Sequence, residues 1–202
     1  MSDQAQTIHV VDDDEAMRDS MTWLLEGEGY AVACYDSAAS FLAARNEHMR
    51  GCIVLDVRMP EMSGLELHEK LEALGSRLPI IFVTGHGDVP MAVGALQRGA
   101  CDFIEKPFNN EDLLTRIRRA LELDAQRSAR QQRDSAIAQR LEQLTQRERE
   151  VMQLVVAGKL NKQVADELDI SMKTVEAHRA RVMEKMGVRT LAELVKAVMS
   201  VN

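Results

Sequence analysis

The sequence predicts an α/β domain on a five-stranded, doubly wound parallel sheet, then a smaller all-α domain of four helices, with a helical linker between them. Three observations carry this. Through the first 124 residues, short apolar runs alternate with amphipathic stretches; from residue 144 onward only helical periodicity remains; and residues 118–144 contain no glycine or proline. Strands alternating with helices favour a parallel sheet covered on both faces, whereas purely helical patterning favours helix-on-helix packing. The resulting division is 1–124, a linker over 125–139, and 140–202.

The strand runs are 8–11, 31–34, 52–55, 80–83 and 103–104. Most are continuously apolar, as strands buried on both faces are. Helical patterns follow at 15–27, 37–46, 63–74, 88–98 and 110–123, with Asp14, Ser37, Ser63, Asp88 and Asn110 as N-caps. The linker continues the fifth of these helices. Its Leu121, Ile137, Leu141 and Leu144 are too sparse for a coiled-coil seam, so a solvated connecting helix is expected. Four further helices are expected at 146–157, 161–168, 172–186 and 190–199, with Gly158 and Gly187 just past helix ends and Ser171 capping the third.

Charge divides the same way. Residues 1–124 carry a net −11 and residues 125–202 a net +4, which suggests different partners and makes the basic part a candidate for nucleic acid. Cys34, Cys52 and Cys101 are odd in number and form no CxxC pair, so reduced thiols are expected rather than a disulfide or zinc site. No basic-then-apolar leader and no membrane-length apolar run is visible, so a cytoplasmic protein without membrane contact is expected.

Ligands of doubly wound sheets bind at the carboxyl ends of the strands. There the sequence places Asp12-Asp13-Asp14-Glu15 after the first strand, Asp56 at the end of the third, Thr84 at the end of the fourth and Lys106-Pro107 at the end of the fifth. Asp14 and Glu15 are read as helix-start residues. The remaining carboxylates would raise one another's pKa unless a cation sat among them. Mg²⁺, or Mn²⁺, suits such an oxygen site. One aspartate can then attack phosphorus, with a lysine and a threonine hydroxyl receiving the transferred group.

The segments VVDDDE, LDVRMPEMSGLE, VTGHGDVPMAV and GACDFIEKPF resemble the receiver domains of bacterial two-component response regulators, with their CheY/flavodoxin-like sheet, most closely the FixJ branch, over residues 6–124. The resemblance implies that Asp56 is the phosphoacceptor. It implies that Asp13 and Asp56 bind Mg²⁺ directly, Asp12 through water, and the Arg58 backbone carbonyl as a further ligand. Thr84 and Lys106 would contact the phosphoryl group, and the Lys106–Pro107 bond would be cis. It also implies a switch: Thr84 moves toward the phosphoryl group, Phe103 rotates inward behind it, and the fourth helix, fifth strand and fifth helix become a dimer face. Simple core packing is the alternative for Phe103. Arg58 and His86 flank the path of attacking water in this fold and are expected to tune phosphoryl lifetime; the alternative is exposed loop residues without that role.

The stretch from LTQREREVM to LAELV resembles the FixJ/NarL (LuxR-type) helix-turn-helix domain over residues 140–200. Helical spacing places Val151, Leu154, Val155, Val164, Leu168, Val175, Val182 and Met186 inward, and Lys173, Glu176, Arg179 and Arg181 on the opposite face. A helix start with Ser171, Lys173 and Thr174 can present N–H groups and a cation to phosphate, and its body can enter the major groove. Lys162, Lys173, Thr174 and His178 are expected near phosphates. Glu176, Arg179, and Ala177 or Ala180 are expected near base edges, with Arg181 on the same face. Glu176 orienting an arginine, and His178 as a packed helix residue, are the alternatives. The last helix, with Leu191, Leu194, Val195 and Val198, carries more apolar surface than a trihelical core needs, so pairing of two such domains is expected.

The combined reading is a response regulator. A sensor histidine kinase phosphorylates Asp56, the receiver dimerises, and the released or paired DNA-binding domains occupy promoter DNA, with RNA polymerase as a further partner. No enzyme activity is expected beyond phosphorylation and dephosphorylation at Asp56. An adaptor that binds protein through its helix-turn-helix is the alternative. A phosphatase with an aspartate nucleophile is disfavoured: those enzymes place nucleophile and acid two residues apart on one strand end, whereas Asp56 is on the third strand, far from the acid pair Asp12-Asp13, and no substrate cap is visible.

Overall fold

The computed structural model describes residues 5–85, 94 and 101–201. The helix expected over 88–98, with its Asp88 cap, lies outside the described residues except for Gly94, as does His86. The described elements of the first part are β1 (Thr7–Val11), α1 (Glu15–Gly27), β2 (Ala31–Tyr35), α2 (Ala38–Ala44), β3 (Gly51–Asp56), α3 (Gly64–Ala73), β4 (Ile80–Thr84), β5 (Asp102–Glu105) and α4 (Asn110–Glu142). The strands form one parallel sheet in the order β2-β1-β3-β4-β5. Registers such as Val11↔Leu55, Asp56↔Val83 and Thr84↔Glu105 bring the carboxyl ends of β1, β3, β4 and β5 to one edge.

Alternation along each strand builds two cores. Ile8, Val10, Cys52, Val54, Ile81 and Val83 pack with Met21 and Leu25 of α1 and Leu113 and Ile117 of α4. Val11, Ile53, Leu55 and Phe82 pack with Phe41 of α2 and Leu67 and Leu71 of α3. Burying each such side chain favours folding by ~1.5–3 kcal/mol, so β1, β3 and β4 have little freedom to slip register. The edge strands β2 and β5 are only partly covered.

Asp14, Ser37 and Ser63 accept backbone N–H groups at the starts of α1, α2 and α3, as the sequence predicts. The start of α4 departs from expectation by one residue. Asn109, not Asn110, is the cap: its Oδ1 accepts from the Asp112 N–H at 2.7 Å, and Asn110 is already helical.

The chain divides between Ser128 and Ala129 into two compact units. The connecting helix expected over 125–139 is the middle of α4, with packed residues at either end. In the first unit Leu121 packs on the core, and Asp124 is buried, accepting from Arg50 Nε at 3.0 Å and Gln6 Nε2 at 2.8 Å. In the second, Ile137 and Leu141 pack with Leu144 into the helical core. Residues 129–133 are exposed.

The second unit holds the end of α4 and α5 (Gln146–Val156), α6 (Asn161–Leu168), α7 (Met172–Met186) and α8 (Leu191–Ser200). Thr145 and Glu148 form a capping box on α5, and Glu148 also meets Lys185 of α7 at 2.6 Å. Ser171 caps α7, and Gly187 ends it in the left-handed region, φ 65°, where a glycine carries no side-chain penalty. Val151, Val155, Val164, Ala165 and Val175 fill one core; Leu144, Met152, Val182, Met186, Leu194 and Val198 fill the other. Leu194 and Val198 of α8 are therefore used internally, whereas Leu191 stays exposed.

Candidate functional site

The carboxyl edge of the sheet gathers three of the expected side chains. Lys106, just past β5, places Nζ 2.7 Å from Asp56 Oδ1 and 3.1 Å from Asp12 Oδ2. The Lys106 N–H donates to the Thr84 carbonyl at 2.7 Å, and the Lys106–Pro107 bond is cis, as the resemblance implies. The other oxygens are also engaged. Asp56 Oδ2 accepts from the Arg58 N–H at 2.7 Å, and Asp12 Oδ1 accepts from the Asp14 N–H at 2.9 Å. Asp12 and Asp56 are both buried.

One ammonium thus serves two carboxylates, so the ionised trio carries a net charge of −1. Burial pushes the Asp56 carboxyl above the usual aspartate value; the Lys106 bond and charge pull it down, and Asp12 adds to the rise. Burial alone would lower Lys106, but its bonds to Asp56 and Asp12 outweigh that and hold its pKa above the usual lysine value. Thr84, fully buried at the end of β4, has a hydroxyl Oγ1 without a hydrogen-bond partner among the described residues. A buried unpaired hydroxyl is costly, and an arriving acceptor oxygen would satisfy it.

The donor set suits a hard divalent cation: two carboxylates meeting at one ammonium and a net negative charge, since Mg²⁺ is commonly held by one or two carboxylates and retains waters. Asp13 is exposed, and among the described residues no three His, Cys, Asp or Glu side chains stand together closely enough to hold a metal. The Arg58 side chain is exposed, and Phe103 is half-buried against the cluster that contains Phe82.

Two supporting residues escaped the sequence reading. The Arg18 guanidinium donates to the Asp12 carbonyl at 2.7 Å, holding the β1–α1 turn. At Gly64, the first residue of α3, a Cβ would lie 2.2 Å from the Asp56 carbonyl oxygen, so only glycine lets α3 start this close to β3. The Ser-Gly pair that opens α3 was the available signal.

On the helical unit, Lys162, Lys173, Glu176, Ala177, Ala180 and Arg181 are exposed. The Thr174 N–H and hydroxyl are both engaged with Ser171 Oγ, at 3.1 and 2.8 Å. His178 is half-buried, with Nδ1 unpartnered among the described residues. Arg179, expected near base edges, is half-buried, and its Nη1 donates to Asn161 Oδ1 at 2.6 Å.

Residues 8–118 match the family described as response regulator receiver domain, and residues 142–198 match bacterial regulatory proteins of the luxR family. The chain is 47% identical over 196 residues to the response regulator protein TodT of Pseudomonas putida, covering 97% of this chain and 86% of that one. It is 46% identical over 194 residues to the transcriptional regulatory protein FixJ of Rhizobium meliloti, covering 96% and 95%. The solved structure of the response regulator StyR superposes with a TM-score of 0.87 at 43% identity, covering 97% of this chain and 99% of that one. With this sheet edge and this helical unit, the chain belongs to the two-component response regulators that join a receiver domain to a LuxR-type DNA-binding domain, and it is a phosphorylation-regulated transcription factor.

Proposed function

We propose that Asp56 is the phosphoacceptor of this regulator. A carboxylate oxygen of Asp56 attacks the phosphorus of a kinase phosphohistidine; the P–N bond breaks as the acyl-phosphate O–P bond forms, and the histidine nitrogen leaves with the bonding pair. The Lys106 ammonium offsets the charge gathering on the transferred group, and the Thr84 hydroxyl donates to one of its oxygens. Asp12, Asp13, Asp56 and the Arg58 carbonyl would hold Mg²⁺, which supplies further charge neutralisation when bound. Arg58 and His86 set how fast water removes the phosphoryl group.

In this reading Thr84 and Phe103 relay the event by favouring a second conformation, because the phosphoryl group makes contacts in one state that it lacks in the other. The receiver then pairs with a second copy, and the helical units bind a promoter as a pair, with Lys162, Lys173 and the exposed face of α7 on the DNA and RNA polymerase as a neighbour. Work between a kinase and a promoter places the protein in the cytoplasm.

The observation that carries the assignment is the Lys106 ammonium shared between Asp56 and Asp12, at the sheet edge where the buried Thr84 hydroxyl has no partner among the described residues. The test is chemical trapping. Protein treated with a small phosphoryl donor and Mg²⁺ is reduced with borohydride, which converts an aspartyl phosphate to homoserine, and digested for mass spectrometry. The reduced residue is expected at position 56; reduction at another position, with residue 56 intact, contradicts the assignment.

A further inference from the structure

One cation of the recognition helix does not face outward. Arg179 lies midway along α7, and its guanidinium donates at 2.6 Å to Asn161, the first residue of α6. Arg179 also lines a small apolar cavity with Val151, Val182 and Met183. Glu176, Ala177, Ala180 and Arg181 of the same helix are exposed. A charge-assisted hydrogen bond of this length is at the strong end of the range. To reach a base edge, Arg179 would have to abandon that bond and strip its stem from apolar neighbours, leaving the Asn161 carboxamide oxygen without its donor.

We propose that Asn161 and Arg179 form a positioning pair for DNA recognition. Arg179 reads no base; it braces α7 against the first turn of α6, which carries Lys162, and discrimination among bases rests on Glu176, Ala177, Ala180 and Arg181. The proposal builds on the DNA-binding role of this unit. It has a distinct signature. A brace that sets phosphate contacts affects all sequences alike, whereas loss of a bidentate base contact relaxes one position of the site.

The test uses the full-length protein. All proteins are treated with a small phosphoryl donor and Mg²⁺, and wild type is first selected against a pool of random-sequence duplexes at fixed salt. Affinities are then measured for the selected site and its single-base variants with Asn161→Ala, Arg179→Met, Asn161→Asp and the Asn161→Ala/Arg179→Met double variant. Arg179→Met keeps an apolar stem and removes the guanidinium; Asn161→Asp keeps an acceptor. Circular dichroism reports whether each variant folds. The expected result is that Asn161→Ala and Arg179→Met each weaken every duplex by a common factor of about tenfold, the size of a lost charge-assisted bond. The order of base preference is unchanged, the double variant is no weaker than either single one, and Asn161→Asp stays near wild type. Should Arg179→Met fail to fold, the contrast between Asn161→Ala and Asn161→Asp carries the test. Flattened preference at one base position in Arg179→Met but not in Asn161→Ala overturns the proposal, and so do multiplicative losses in the double variant or unchanged affinities throughout. A wild-type protein that selects no sequence removes the DNA-binding reading itself, and the proposal with it.

Discussion

Lys106 Nζ stands 2.7 Å from Asp56 Oδ1, closer than its 3.1 Å approach to Asp12 Oδ2. The ammonium therefore leans on the residue proposed to accept the phosphoryl group while still tethering the neighbouring acid. Burial works against this pairing, and Asp56 stays above the ordinary aspartate value despite it.

The first prediction concerns that balance. In metal-free protein, the fraction of Asp56 ionised rises with pH through a midpoint above 3.8, the ordinary value. Lys106→Ala removes the downward pull and leaves burial and Asp12, so the midpoint moves further up. Carbon-detected NMR titration of the aspartate carboxyls checks this; a midpoint that falls or stays put on substitution contradicts the account.

Gly64→Ala tests the close approach of α3 to the site. A Cβ there would meet backbone, the Asp56 carbonyl oxygen at 2.2 Å, and backbone cannot rotate out of the way. We expect a loss of ~1–3 kcal/mol in urea unfolding, typical of overpacking, together with slower phosphorylation by a small donor. A variant with wild-type stability and rate would show that the end of β3, which carries Asp56, yields freely.

Asp124→Ala tests the buried network at the opposite end of the first unit. Asp124 accepts from both Arg50 and Gln6, and its removal leaves a half-buried guanidinium without its carboxylate. A loss of ~1.5–3 kcal/mol follows for a hydrogen bond to a charged group. Urea denaturation followed by circular dichroism measures it, and a neutral substitution would mean that water replaces the carboxylate at no cost.

Glu148 gives the pH dependence of the second unit. The Lys185 ammonium, helped by the Thr145 N–H, holds its carboxyl down at about 2, against an ordinary 4.5. A folded-state pKa below the unfolded one stabilises the fold above pH 4.5 and loses that contribution as pH falls from 4.5 through 2. Hydrogen-exchange protection factors of α5 and α7 amides, corrected for the intrinsic rate at each pH, should therefore fall over that window in wild type. Glu148→Gln should start with lower protection at neutral pH and lose less of it on acidification. Equal pH profiles for the two proteins would contradict the pairing.

How much of this was legible in the sequence depended on range. β1, β3 and β4 were visible because buried parallel strands are continuously apolar, and Asp14, Ser37, Ser63 and Ser171 were visible because an N-cap acts within three residues. Asp12, Asp56, Thr84 and Lys106 could be gathered because a parallel sheet collects its strand ends without further information. Side-chain pairing across elements left no such mark. Asp124 meets Gln6 118 residues away, and Arg179 meets Asn161 across a turn, so nothing in either local pattern distinguishes them from solvated charges. Ile137 and Leu141 looked too sparse for a coiled coil because their partners are the helices of the second unit rather than a second linker.

The central claim is that phosphorylation at Asp56 controls DNA binding, and one measurement tests it most directly: affinity selection from a promoter library, with and without a phosphoryl donor and Mg²⁺, for wild type and Asp56→Asn. The account predicts that wild type enriches a specific site whose binding tightens with the donor, and that Asp56→Asn shows no tightening. Equal tightening in Asp56→Asn, or donor-independent binding by wild type, would contradict it.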